Sequence, residues 1–278
     1  MSGVVAAAAN QLRVAKRLAP RRGASFGERF GRLDDRFVFV LGSPRSGTTF
    51  LAGAIGSVPG FLDLGEVPTV KAAVPQLATL PPREAARRLR RILAVSRRAG
   101  LVGSVRPVEQ TPELAHAVRA IPLAFPEARI VHIVRDGRDV VCSLLEKNWL
   151  RSSQTATDDA GVPYGGYARF WVEPERRAEF ETAGDAKRAA WVWRSYVTAA
   201  RTSGVPLIEL RYEELAADPT AVATILAPAL DAPVGPLTDA LARVHSASVG
   251  RYRTDLSEEQ LAEMEGEVGA LLHELGYT

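Results

Sequence analysis

Two glycines enclose a short turn whose residues could hold an anion. Gly42 and Gly47 bracket Ser43-Pro44-Arg45-Ser46, and Thr48 and Thr49 follow directly. The backbone N–H groups of such a turn can point at one centre, and a helix that starts there adds further donors. The arginine and the two threonine hydroxyls add side-chain donors. This order of residue types predicts a binding site for an anionic group.

The elements around this turn are a buried strand and a helix. Phe37–Leu41 is β-branched and aromatic without polar alternation, which predicts a strand covered on both faces, as in parallel sheets. A helix is predicted for Thr48–Val58. Further strands are predicted at Val105–Glu109, Ala128–Val134 and Pro206–Leu210. Strands alternating with helices predict an α/β fold, with a parallel β-sheet flanked by helices on both faces.

A second anion site is predicted beyond the strand Ala128–Val134, because ligands of such sheets bind at the carboxyl ends of strands. Arg135 leaves that strand, and Ser143 lies two helical turns farther on. A guanidinium and a hydroxyl suit a second phosphate. The neighbouring polar side chains are interpreted as structural, in helix capping, surface pairing or packing: Asp136, Arg138, Asp139, Cys142 and His132.

The composition limits the class of protein. The 278 residues, 46% hydrophobic, suffice for one domain at 31–278 behind a leader at 1–30. A net charge of +3 suits a polyanionic small ligand, and no basic stripe interleaved with aromatics indicates nucleic acid. One cysteine and four histidines provide neither a disulfide framework nor a zinc pattern. Because no apolar run reaches transmembrane length, a cytoplasmic protein is expected.

The glycine spacing is that of the nucleotide-binding P-loop, but Thr48 occupies the position of its lysine. A P-loop-type kinase needs that lysine and a magnesium-binding carboxylate, so kinase activity is kept only as an alternative. The positive charge stands inside the turn instead, at Arg45. Pro44–Thr49 resembles the 5′-phosphosulfate loop of sulfotransferases that use 3′-phosphoadenosine 5′-phosphosulfate (PAPS).

Val134–Ser143 resembles the 3′-phosphate motif of the same family, including the interval from arginine to serine. The resemblance runs from about Phe37 to Tyr277 and implies a P-loop NTPase-like three-layer sandwich with PAPS as the sulfuryl donor. It also implies a set of cofactor-binding positions: Arg45, Ser46, Gly47, Thr48, Thr49, Arg135 and Ser143.

Sulfuryl transfer to a hydroxyl or amine needs anchored phosphates, a stabilised leaving oxygen and a base for the acceptor proton, and this logic requires no metal. Arg45 is predicted to stabilise the leaving oxygen. Gly65-Glu66, in a short loop after the first helix, resembles the catalytic base of tyrosylprotein and many bacterial sulfotransferases. The alternative for Glu66 is a surface glutamate or a helix-start charge just before Pro68. Glu109 is a second candidate base.

Gln110 departs from the family pattern, because related bacterial sequences tend to have lysine between the glutamate and the threonine of Glu109-Gln110-Thr111-Pro112. Glutamine donates hydrogen bonds without carrying charge, so part of the electrostatic stabilisation is absent or has moved, with Arg106 as one candidate. A non-enzymatic relative that only binds the nucleotide is therefore a further alternative.

Three more cofactor contacts are predicted in the C-terminal half. Tyr212 lies in a segment that resembles a family motif near the nucleotide, and a buried core tyrosine fits the same pattern. Ser248 and Arg251 lie where the family closes a loop over the cofactor. The acceptor, a small molecule, glycan, lipid or peptide, is expected to lie between the basic helix Arg83–Arg98 and the loop Arg151–Gly166, which could act as a lid.

Overall fold

Five parallel strands form one sheet in the computed structural model, which describes residues 35–99, 105–147, 150 and 172–277. The strands are β1 (Val38–Leu41), β2 (Phe61–Gly65), β3 (Arg106–Glu109), β4 (Arg129–Val134) and β5 (Ile208–Arg211). Their order across the sheet is β2-β3-β1-β4-β5, and every neighbouring pair is parallel. The predicted leader at 1–30 and the loop Arg151–Gly166 lie outside the described residues.

Helices connect these strands. Those between β1 and β4 are α1 (Thr48–Ser57), α2 (Pro68–Leu77), α3 (Pro82–Ala99), a 3₁₀ helix (Pro112–Ala117) and α4 (Ala120–Ala124). Those between β4 and β5 are α5 (Gly137–Leu145), a 3₁₀ helix (Pro174–Arg176), α6 (Arg177–Thr182) and α7 (Asp185–Arg201). After β5 come α8 (Tyr212–Ala217), α9 (Pro219–Leu230), α10 (Val234–Leu241), a 3₁₀ helix (Ser246–Ser248), α11 (Tyr252–Asp255) and α12 (Glu258–Glu274).

The alternation of side chains along the strands divides the core into two layers. Val38 and Val40 belong to a buried cluster with α1, α9 and α10 on one side of the sheet. Phe39 and Leu41 belong to a cluster with α2, α3 and α4 on the other side. On that second side, Val134 joins the cluster of α5, α7 and α12. The predicted three-layer α/β sandwich is therefore confirmed for the described residues.

The predicted central strand is also confirmed, since every residue from Phe37 to Leu41 is 0% exposed. The sequence analysis missed β2 and α10. Strand β2 has a weak pattern because the polar Asp63 interrupts it and glycine ends it. Residues 112–125 form a 3₁₀ helix and α4 rather than one continuous helix. In a continuous helix the ring of Pro122 would clash with the carbonyl of Val118, four residues earlier.

Candidate active site

The turn Gly42–Gly47 leaves the middle strand of the sheet, so it stands at the centre of the edge where all five strands end. Arg45 and Gly47 both adopt left-handed backbone conformations, with φ of 71° and 94°. Left-handed residues between ordinary ones turn successive N–H groups to one side, which is the geometry of an anion-binding nest. For the non-glycine Arg45 this conformation costs about 1–2 kcal/mol. The turn is held in a strained shape that suits an anion.

The second predicted motif meets the turn directly. Arg45 Nε donates a hydrogen bond to Ser143 Oγ at 2.9 Å, and Arg135 Nη1 donates to the carbonyl oxygen of Arg45 at 3.2 Å. Arg135 and Ser143 are both 5% exposed. The contact arises because β4 lies beside β1, so α5 starts next to the turn. Two segments predicted to hold separate phosphates thus share one buried place.

Polar atoms at this place lack partners among the described residues. Ser46 Oγ, Arg135 Nε and Gln110 Oε1 are buried and form no hydrogen bond. Leaving such a group unpaired costs about 1–3 kcal/mol. The hydroxyl and the guanidinium N–H can both donate, and both lie where the anion is expected. The residues present therefore fit the phosphates of PAPS.

The C-terminal part of the chain closes over the same site. Arg135 Nη2 donates to the carbonyl oxygen of Ser248, and the Arg135 guanidinium lies over the Tyr212 ring, 4.8 Å from its centroid. Tyr212 Oη donates to the carbonyl oxygen of His245 at 2.6 Å. The Tyr212 ring also packs on the turn, because a Cβ at Gly47 would stand only 2.7 Å from it. The structure thus brings Tyr212 and Ser248 to the two motifs.

Arg251 is directed elsewhere. Its guanidinium forms ion pairs with Glu146 and, at 2.7 Å, with Asp255. The hydrogen bonds from these two carboxylates raise the pKa of Arg251 above its ordinary value. The predicted cofactor contact of Arg251 is therefore not brought to the turn in this structure.

Asp139 holds the C-terminal loop and is not the surface-paired residue that the sequence analysis expected. Its side chain is 1% exposed. Asp139 Oδ2 accepts from the backbone N–H of Gly250 at 2.7 Å, and Oδ1 accepts from that of Tyr252 at 3.0 Å. The available signal was its position four residues after Arg135, with which it forms an ion pair at 3.8 Å. Asp136 does have the expected role, since it caps α5 through the N–H of Arg138.

Glu66 lies just beyond β2 and within a partly buried ion-pair cluster. Strand β2 ends in a bulge, where Gly65 has a φ of 65° and its N–H donates to Asp63 Oδ1 at 2.6 Å. The chain then enters α2, and Glu66 Oε2 meets Lys71 Nζ at 2.6 Å. Only 17% of the Glu66 side chain is exposed. This burial does not fit the alternative of a solvated surface charge.

Glu109 is fully buried and turned towards Thr111. Its carboxylate accepts hydrogen bonds from the Thr111 hydroxyl and, at 3.2 Å, from the Thr111 N–H. Burial raises the pKa of Glu109 to about 8, although the bonds from Thr111 act in the opposite direction, and the charge of Glu66 raises it further. A carboxyl that is protonated at neutral pH does not accept a proton. Its state favours Glu66 over Glu109 as the base.

Gln110 contacts the start of α1, directly after the turn, but Arg106 does not. Gln110 Nε2 donates to Thr49 Oγ1 at 3.3 Å. Arg106 lies at the opposite end of β3, where it donates to the carbonyl oxygens of Arg36 and Leu230. The hypothesis that Arg106 replaces the missing charge at position 110 is wrong, because the strand carries its side chain to the other edge of the sheet.

Comparison with known proteins decides the family. A model of the sulfotransferase family matches residues 38–236. The chain belongs to the sulfotransferase family. The matched range contains the turn, Glu66, Arg135, Ser143 and Tyr212, and it ends before Ser248 and Arg251.

Solved sulfotransferase structures share the fold of this sulfotransferase. The sulfotransferase domain from the curacin biosynthetic pathway is 14% identical with a TM-score of 0.54, and the match covers 87% of this chain and 98% of that one. The sulfotransferase domain from the Synechococcus PCC 7002 olefin synthase is 16% identical with a TM-score of 0.51, over 87% and 98%. Sulfotransferase STF9 from Mycobacterium avium is 13% identical with a TM-score of 0.51, over 96% and 81%. No curated protein matches by sequence.

Within residues 35–99, 105–147, 150 and 172–277, no group of three or more His, Cys, Asp or Glu side chains is placed to hold a metal ion. In the same ranges, no helix combines the length and the apolar character that crossing a bilayer requires.

Proposed function

We propose that this sulfotransferase transfers the sulfuryl group of PAPS to a hydroxyl or amine of an acceptor. One observation carries the proposal: Arg45 meets Ser143 at 2.9 Å, beside Arg135, while Ser46 Oγ and Arg135 Nε stay buried without a partner among the described residues. Two arginines at one place, together with the unpartnered Ser46 hydroxyl and Arg135 Nε, suit a ligand that brings two phosphates.

The side chains have distinct proposed roles towards this donor. The bound donor supplies the sulfuryl group together with a phosphate leaving group. Arg45 is proposed to stabilise the negative charge on the leaving oxygen, helped by the hydroxyls and N–H groups of Ser46, Gly47, Thr48 and Thr49. Arg135 and Ser143 are proposed to hold the 3′-phosphate.

Tyr212 and Ser248 are proposed to flank the adenosine. Support comes from the Tyr212 ring, which packs between the turn and the guanidinium of Arg135. Arg251 joins this set only as a prediction, because it would have to leave Glu146 and Asp255 to contact the donor.

Glu66 is proposed to take the proton of the acceptor. Its carboxylate lies just beyond the carboxyl end of β2 and forms an ion pair with Lys71 Nζ at 2.6 Å, and a carboxylate within reach of the acceptor can serve as a general base. The acceptor is proposed to lie beside Glu66, on the side of the sheet that carries α2 and the basic helix α3. A single domain at 31–278 and a cytoplasmic location are parts of the same proposal, and the single buried Cys142 agrees with a reducing compartment.

The donor is tested by calorimetric titration with 3′-phosphoadenosine 5′-phosphate in the absence of magnesium. We expect binding that weakens about tenfold or more in Arg135→Ala, because a charge-assisted hydrogen bond contributes about 1.5–3 kcal/mol. Ser143→Ala should weaken binding by a smaller factor and leaves the Arg135 contacts with the loops in place. The exposed Arg177→Ala is the matched control and should bind as the unmodified protein does.

ATP in the same titration tests the kinase alternative. ATP lacks a 3′-phosphate, so we expect it to bind much more weakly than the 3′,5′-diphosphate. Equal affinities, or no binding of the diphosphate at all, would refute the proposed donor.

The base is tested with Glu66→Gln, in an assay that follows nucleotide release from PAPS in the presence of a mixed pool of phenols, sugars and amines. Loss of a general base lowers turnover by about 10²- to 10⁴-fold. We expect that loss together with unchanged affinity for the diphosphate. The non-enzymatic alternative predicts no turnover in either protein, and unchanged turnover in an active protein would remove Glu66 from the mechanism. Exposed Glu265→Gln serves as the control.

A further inference from the structure

A buried lysine stands beside the proposed base. Lys71 Nζ lies 2.6 Å from Glu66 Oε2 and 3.2 Å from Glu113 Oε1, and only 8% of Lys71 is exposed. Lysine is almost never buried unless it is paired, because removing an ammonium from water costs several kcal/mol. The ion pairs with the two carboxylates offset that cost.

Lys71 does not stabilise the helix that carries it. It lies in the first turn of α2, which begins at Pro68. A cation near the N-terminus of a helix is destabilising, since the helix dipole is positive there. Helix formation therefore does not account for this lysine, whereas the carboxylates beside it do.

Three carboxyl groups from three elements surround the same point. Glu66 follows β2, Glu109 ends β3, and Glu113 lies in the 3₁₀ helix after it. Without a cation between them, the carboxylates of Glu66 and Glu113 would repel each other. Lys71 forms ion pairs with Glu66 and Glu113. The carboxyl group of Glu109 accepts hydrogen bonds from Thr111, although Glu66 and Glu109 both lie at the carboxyl ends of neighbouring strands.

We propose that Lys71 is a positioning residue that holds the Glu66 carboxylate ionised and in place for its work as the base. This inference rests on the proposed function. Lys71 does not act on the donor or the acceptor itself, so its effect is expected through Glu66 alone. Glu113 shares the ammonium and limits how strongly it acts on Glu66.

The direct test is a pH titration of the Glu66 side-chain carbon by NMR, in protein labelled at the glutamate δ-carbon. The Glu66 signal is assigned by its absence in Glu66→Gln. In Lys71→Met, which keeps the length and removes the charge, the midpoint of the Glu66 titration should move to higher pH by about one unit or more. In Lys71→Arg it should stay within a few tenths of a unit of the unmodified protein. Lys187→Met, which breaks a surface ion pair with Glu179, is the control.

A second variant makes the test independent of the fold of Lys71→Met. Glu113→Gln removes the competing carboxylate, so the Glu66 midpoint should move to lower pH. An unmoved Glu66 signal in both folded variants would overturn the inference and leave the proposed function standing.

The link to the reaction is tested by the pH profile of kcat/KM with the same acceptor pool. The acid limb should move to higher pH in Lys71→Met by the same amount as the NMR midpoint, and Lys71→Arg should restore it. Affinity for 3′-phosphoadenosine 5′-phosphate should stay unchanged in both. An NMR shift without a shift of the acid limb would overturn the role of Glu66 as base, and this inference with it.

Discussion

Gly47 is required both by its backbone conformation and by a close contact with an aromatic ring. Its φ of 94° lies in the left-handed region, and a Cβ there would stand 2.7 and 2.8 Å from two carbon atoms of the Tyr212 ring. The absent side chain is what lets an aromatic ring close over the anion turn. Sequence analysis assigned this glycine to the turn, but the ring contact depends on a residue 165 positions later, which is the difference between 212 and 47.

We therefore predict that Gly47→Ala destabilises the fold by about 2–4 kcal/mol, from backbone strain and the displaced ring together. Urea unfolding followed by circular dichroism measures the loss. Gly53→Ala is the matched control within α1, where a Cβ would meet nothing within 4 Å. There we expect a gain of about 0.5–1 kcal/mol from helix propensity. Equal effects of the two substitutions would contradict the ring contact.

Helix α3 has one face buried in the core and a row of arginines on its exposed face. Its buried face, which includes Ala85, Ala86 and Leu89, packs in the core with α2 and α4. Arg83, Arg87 and Arg91 are exposed at a spacing of four residues, and no ion pair joins them to the described residues. Like charges at this spacing repel, so the outward arginines weaken the helix that carries them.

Arg87→Gln should therefore raise the free energy of unfolding by a few tenths of a kcal/mol, about 0.2–0.5 at low salt. The gain should vanish at about 1 M salt, where the repulsion is screened. Unfolding in urea at two salt concentrations measures both.

Arg90→Gln is the contrast on the same helix. Arg90 donates to the carbonyl oxygen of Ala124, pairs with Asp35 at 3.2 Å and lies over the Phe125 ring. Its removal should cost about 0.5–1.5 kcal/mol. A loss of stability in Arg87→Gln as large as that in Arg90→Gln would show that the outward arginines have structural partners.

The whole molecule responds to pH through Glu109. Burial raises the pKa of this carboxyl from 4.5 to about 8, so between these values the folded protein keeps a proton that the unfolded chain releases. The contribution of Glu109 to the free energy of unfolding is therefore fully present below about pH 4.5 and is lost as the pH rises to about 8. A salt-bridged carboxylate has the opposite effect, because its lowered pKa makes the free energy of unfolding rise with pH.

We predict that Glu109→Gln flattens this fall, because its amide cannot release the proton. Relative to the unmodified protein, the variant should gain stability steadily from pH 5 to pH 8, by up to a few kcal/mol, about 1.4 for each unit of the pKa shift. Urea unfolding at pH 5, 6.5 and 8 measures the difference. Exposed Glu265→Gln should run parallel to the unmodified protein, and a parallel curve for Glu109→Gln would mean that Glu109 is ionised in the fold.

Much of this architecture follows from local sequence. The apolar run of β1, the glycine turn and the start of α1 are decided by residues next to one another, so their strand, turn and helix were predicted with boundaries close to those observed. The same holds for Arg135 at the end of β4, since a strand followed by a helix needs only local periodicity to be recognised.

Only the tertiary structure decided which polar residues meet at the edge of the sheet. Arg45 and Ser143 are 98 residues apart, and Arg135 and the carbonyl of Ser248 are 113 apart. Their contacts depend on the strand order β2-β3-β1-β4-β5, which no local pattern encodes. Asp139 as the holder of the C-terminal loop and Lys71 as the partner of Glu113 were missed for this reason. The sequence determined the chemistry at each strand end, and the pairing of the strands determined which of those ends act together.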